Sequence, residues 1–201
     1  MKIIHSILVL ITLSAVAQLT AEENCTYEYD PSQTSLEWTA FKFTEKTGVK
    51  GKFDSIKVVG KQKDKSKFGA VKSLQFQIDS SSVNSGVPDR DGKIKKFFFG
   101  SVKGNKKISG TFSEITAGET GTAKLNLRFG NSKTSVPVNF IWKDDLVEVT
   151  GTVDVVTLGL QTGLGKLNVE CNDLHKGSDG VSKLWPTVDV KVVSTLKKNC
   201  K

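Results

Sequence analysis

Alternation of apolar and polar residues, repeated in segment after segment, is the feature that most limits what this chain can become. Leu74, Phe76 and Ile78 alternate with Gln75, Gln77 and Asp79, and Leu125, Leu127 and Phe129 with Asn126 and Arg128. Val136, Val138, Phe140 and Trp142 alternate with Pro137, Asn139 and Ile141. Val147, Val149, Gly151, Val153 and Val155 alternate with Glu148, Thr150, Thr152 and Asp154, and Val188, Val190 and Val192 with Asp189 and Lys191. A period of two sends successive side chains to opposite faces, so each segment is a strand with one buried and one wet face. One-sided strands pair antiparallel, because parallel strands are apolar on both faces.

Three further strands are less regular. Leu36, Trp38 and Ala40 share a face, but Phe41 and Phe43 continue on the other. Phe53 and Ile56 break parity around residues 51–59, while Ile108, Gly110 and Phe112 stay in phase. Parity shifts predict bulges, and Gly51, Gly110 and Gly151 predict bends. The count is eight strands in one domain, with short helices expected in the segments Asp89 to Gly100 and Asp173 to Leu184. Eight one-sided strands fit either a sandwich or a barrel.

The N-terminus reads as an export signal. Lys2 precedes the apolar stretch Ile3 to Leu13, and small residues follow at Ala15, Ala17 and Ala21. This pattern predicts a signal peptide over 1–21, cleaved after Ala17 or Ala21, and a domain over 22–201 that is periplasmic or secreted. The apolar run is too short for a typical membrane span, and no later segment supplies one. The net charge of +8 comes from lysines scattered through loops and strand faces, with arginine only at 90 and 128. A nucleic-acid partner is therefore not expected. His175 is the only histidine beyond the signal region, and no CxxC occurs, so neither a multi-histidine metal site nor a redox motif is expected.

Several ordered motifs resemble the YceI-like family of polyisoprenoid-binding proteins. Tyr29-Asp30-Pro31-Ser32-Gln33-Thr34-Ser35-Leu36-Glu37-Trp38 is similar to that family's opening strand. Val49-Lys50-Gly51-Lys52-Phe53, Ile78 to Gly86, Arg90-Asp91-Gly92-Lys93-Ile94, Phe98-Phe99 and Leu125 to Val138 follow in the family's order. Lys93 stands where the family often has histidine, Phe97 where it often has aspartate, and Leu158 where a phenylalanine precedes the matching Gly159. These departures fall where a ligand's head group would be recognised, so the resemblance carries fold further than ligand identity. It implies an all-β fold: a single eight-stranded antiparallel lipocalin-like barrel with one or two short helices and a long apolar tunnel.

Independently of the resemblance, 11 Phe and 3 Trp supply broad apolar surface. Trp38, Phe53, Phe76, Phe112, Leu125, Phe129, Phe140 and Trp142 would face the lumen, with Ile78 and Leu127 in the same phase. Plain core packing uses the same residue types. Arg90 and Asp91 are candidates for a head-group contact or for a local ion pair at a helix start. Phe98 and Phe99, in the run Phe97-Phe98-Phe99, are candidates for a gate or for packing a helix on the sheet. Burying about ten methylenes is worth roughly 8 kcal/mol gross, against at most about 1 kcal/mol for an exposed ion pair. A tail would carry the affinity and polar contacts would select the head. The expected activity is non-enzymatic binding, storage or transport of an isoprenoid quinone, polyprenyl or acyl lipid, with no cofactor otherwise and with a homodimer left open. The competing readings are a lipid-modifying enzyme and a ligand-free stress or interaction protein of the envelope.

Three cysteines in an exported chain leave one over. In an antiparallel barrel with an even strand number the first strand begins where the last one ends, which pairs Cys25 with Cys200. Cys171 with Cys200 is the rival pairing.

Overall fold

The structure, a computed structural model, describes residues 24–60, 62–103 and 106–200, so the expected signal peptide lies outside it. The strands are β1 (Cys25–Glu28), β2 (Thr34–Lys42), β3 (Thr47–Phe53), β4 (Ile56–Val59), β5 (Lys63–Asp64), β6 (Gln75–Asp79) and β7 (Val83–Asn84). They continue with β8 (Lys107–Ser113), β9 (Thr120–Phe129), β10 (Ser132–Lys143), β11 (Leu146–Asp154), β12 (Leu184–Thr195) and β13 (Lys197–Cys200). The helices are α1 (Lys67–Lys72), α2 (Pro88–Lys93) and α3 (Gln161–Glu170).

Ten strands form one antiparallel sheet in the order β4-β6-β8-β9-β10-β11-β12-β2-β3-β7. The long hairpins follow the alternation closely. In β10, Val136, Val138, Phe140 and Trp142 are buried, while Pro137, Asn139 and Ile141 face solvent. Gly130 turns between β9 and β10 with φ +57°, and Asp144 turns between β10 and β11 with φ +53°. Both tight turns require the left-handed region, which Gly adopts freely and Asp tolerates.

The sheet corrects the expected architecture. It is an open half-barrel of ten strands with three α-helices, not a closed eight-stranded barrel with one or two. The reason lies where parity fails. The stretch 51–59 divides at Asp54-Ser55: Lys52 and Phe53 pair with Asn84 and Val83 of β7, whereas Ile56 to Val59 pair with β6. The 3-10 turn Ser80–Ser82 divides β6 from β7 in the same way. No ladder joins the terminal strands β4 and β7; the bond from Asp54 N–H to Ser82 O prolongs the β3–β7 pairing and that from Asp79 N–H to Ser55 O the β4–β6 pairing.

The helices also differ from expectation. The segment Asp89 to Gly100 is helical, as α2 followed by a π turn (Ile94–Phe98) and a 3-10 turn (Phe99–Ser101). The segment Asp173 to Leu184 holds only a 3-10 turn at Asp173–His175, and the true helix, α3, precedes it. Gly163 and Gly165 lower helix propensity there. Gly163 is nonetheless needed, since a Cβ would strike the Phe98 carbonyl on which the helix rests.

A second sheet, β13-β1-β5, lies beside one end of the large one. Cys25 and Cys200 are register partners and are joined by a disulfide; Cys171 is a free, buried thiol. Lys197 of β13 reaches the nearly buried Asp30 at 2.8 Å, tying this sheet to the start of β2. That bond, helped by Ser32 Oγ and N–H, holds the Asp30 carboxyl down to about 2.

Candidate functional site

The curled inner face of the large sheet surrounds an apolar cavity of about 330 Å³. Along β12 its wall runs from Leu184 and Trp185 through Val188, Val190 and Val192 to Ser194. The ten residue steps from Leu184 to Ser194 span roughly 33 Å at about 3.3 Å each, so the cavity is long and narrow.

Eleven of the residues singled out in the sequence meet on this wall: Trp38, Phe53, Phe76, Ile78, Phe98, Phe99, Phe112, Leu125, Leu127, Phe140 and Trp142. They converge because each occupies the inward phase of its strand, apart from Phe98 and Phe99, which descend from the turns after α2. Phe98 packs edge-on against Phe99 at 5.0 Å, and Phe99 continues to Phe53 and Phe129 at 6.2 and 5.8 Å. Phe129 does not line the cavity; it is buried behind Phe99. Arg90 and Asp91 do not line it either. The buried Asp91 carboxylate accepts from Ser85 N–H at 2.8 Å and Ser85 Oγ at 2.6 Å, which holds the start of α2 to the segment after β7.

Among the described residues no charged side chain reaches the wall. The Trp38 Nε1–H donates to Lys52 O at 3.0 Å and the Trp185 Nε1–H to Phe43 O at 2.7 Å. Thr34 Oγ1 and Ser194 Oγ bond each other at 2.7 Å. These polar atoms are already paired within the protein, so what the walls offer a ligand is apolar contact and shape.

The two ends differ. At one, α1 lays Phe68 edge-on against Phe140 and Trp142, at 6.0 and 5.9 Å, beside Tyr29. At the other, Leu160, Leu164 and Leu167 of the α3 region face Phe41, Leu184 and Trp185. There Lys183 Nζ lies 3.7 Å from the Trp185 ring centre; Lys46 Nζ lies 5.3 Å from it and 4.8 Å from that of Phe41. Sequence reading did not single out these α1 and α3 residues or Trp185. The spacing Leu160, Leu164, Leu167 is the i, i+4, i+7 signal of a helix face, obscured by the two glycines between them.

His175 stands apart from the cavity. Its Nδ1 meets Asn168 Oδ1 at 3.1 Å, an oxygen that also accepts from Ser182 Oγ. Because the amide oxygen only accepts, Nδ1 carries the proton. Burial, and next the nearby Lys42 charge, push the imidazole down to about 4. Among the described residues no group of three His, Cys, Asp or Glu could hold a metal ion, and no helix is long and apolar enough to cross a membrane.

Residues 27–193 match the sequence profile of the YceI-like domain. Two solved structures share the fold at 14% identity. One is a polyisoprenoid binding domain from Saccharophagus degradans implicated in plant cell wall breakdown, with TM-score 0.58 over 89% of this chain and 100% of that one. The other is BcnA of Burkholderia cenocepacia, with TM-score 0.59 over 85% and 99%. No curated protein sequence matches.

Proposed function

The chain belongs to the YceI-like domain family, and from that premise we propose that it binds and carries an elongated apolar lipid in the cavity of its half-barrel. The single observation that carries this reading is a cavity along the length of β12 whose described lining is almost wholly apolar and holds no charged side chain. An apolar chain gains there by leaving water, at roughly 0.8 kcal/mol per buried methylene. Among the described residues the lining holds no carboxylate, histidine, cysteine or lysine side chain, and its one phenol, Tyr29, sits at the α1 end. This lining favours a binding role, in keeping with membership of the YceI-like family. The head group belongs at the Trp185 end, where Lys46 and Lys183 stand at the rim.

A polyisoprenoid is the favoured ligand class, since the related domain of Saccharophagus degradans is described as binding one. Residues 1–21 carry the export pattern, which suits a carrier in the periplasm or outside the cell.

The test is native mass spectrometry of protein purified from its own envelope, followed by organic extraction. A defined mass increment that extracts as a prenyl or acyl lipid is the expected result. Phe140→Asp is the control variant, because a carboxylate in this wall must be buried unpaired or protonated, at several kcal/mol. It should lose the increment while circular dichroism stays native. Ligand-free wild type that also refuses added prenyl alcohols would overturn the reading.

A further inference from the structure

Three of the wall's largest rings share one arrangement. Trp38 lies between Val190 on one neighbouring strand and Gly51 on the other. Phe76 lies between Val58 and Gly110, and Phe140 between Val149 and Gly121. Direct cross-strand partners share a face, so each of these glycines would aim a side chain at the wall beside its aromatic partner.

The rings occupy that space. A Cβ at Gly51 would stand 2.6 Å from Trp38 Cε2, one at Gly110 2.7 Å from Phe76 Cε1, and one at Gly121 2.8 Å from Phe140 Cζ, where the Thr116 hydroxyl also crowds the position and stands closer still. Each ring therefore reaches into the space above its glycine partner. The indole is pinned there by its bond to the carbonyl of Lys52, the residue after Gly51. A displaced ring has strand on both sides and below it, and only the lumen is free to receive it.

We propose that Gly51, Gly110 and Gly121 are the specificity-determining residues of the cavity, holding its bore open for a long unbranched or prenyl chain by giving three aromatic rings a seat in the wall. This inference rests on the lipid-carrier reading and assigns the selection of tail shape to positions that present no side chain to the ligand. Trp38 and Phe76 belong to the larger apolar cluster and Phe140 to the cluster against α1. The Gly121 seat thus belongs to a different part of the cavity from the other two.

The experiment compares Gly51→Ala and Gly110→Ala with wild type after delipidation, reading uptake of geranylgeraniol by native mass spectrometry and by tryptophan quenching. Each variant should bind about tenfold more weakly, the scale of one methyl group forced into a packed wall. Gly51→Ala with Trp38→Leu, and Gly110→Ala with Phe76→Leu, should take up more geranylgeraniol than the corresponding single glycine variant, since the smaller side chain leaves the methyl room. The double variants also keep the test decisive where a single variant does not fold: folded and loading supports the seats, folded and empty overturns them. Folded single variants that load like wild type overturn them as well. Wild type that takes up no geranylgeraniol removes the carrier reading itself, a separate outcome from loss in the variants alone.

Discussion

His175 shows how this fold treats a titratable residue that it does not use for chemistry. Burial and the Lys42 charge disfavour the imidazolium, lowering its pKa from 6.5 to about 4. Below the unfolded value the unfolded chain binds the proton more readily, so the contribution to stability is complete above about pH 6.5 and is lost as pH falls through about 4. NMR titration should place the ring's midpoint near 4, and His175→Gln should flatten the dependence of stability on pH between those values. A midpoint near 6.5 would mean that the ring is solvated. At the same scale, the inward residues of the strands are readable in the sequence because alternation depends on side-chain direction alone. Phe129 has the right phase and is still not on the wall, because Phe99 arrives from a different element and covers it. Asp91 and Arg90 look like head-group ligands in a motif. What the Asp91 carboxylate meets is the backbone and hydroxyl of Ser85, a local bond that no spacing rule exposes.

At the scale of elements, the small sheet β13-β1-β5 depends on its covalent link. The Cys25–Cys200 bridge joins residues 175 apart, and constraining so long a loop in the unfolded chain is worth up to about 5 kcal/mol in the entropy model. Cys25→Ser with Cys200→Ser should lower the unfolding free energy by several kcal/mol, and non-reducing peptide mapping of wild type should yield one linked pair without Cys171. A peptide joining Cys171 to either partner would contradict this arrangement. The long strands β9 to β12 are legible in the sequence because each is long enough to repeat its period several times. Strands β4, β5 and β7 are two to four residues long and carry no period to read. The short helix α1 hides in a lysine-rich stretch that reads as a solvated loop. Its Phe68 and Val71 face the cavity only because the chain brings that stretch over one end.

For the whole molecule, lipid binding and stability are linked by mass action. A ligand present at a hundred times its dissociation constant stabilises by about 2.7 kcal/mol, or roughly 5–10 °C in Tm for a chain of this size. Delipidated protein should melt lower by that amount and recover on reloading; an unchanged Tm in both directions would show that the cavity binds nothing tightly. The sequence by itself determined the one-sided antiparallel strands, the inward aromatic set and, through ordered motifs, the resemblance to the YceI-like family. Those features are local, or linear along the chain. Only the tertiary structure decided that the sheet has ten strands and stays open, that α1 and α3 complete the cavity, and that three rings lie over glycines on neighbouring strands. Each of these depends on which residues meet across the sheet, a register set by packing of the whole chain and invisible to a period of two.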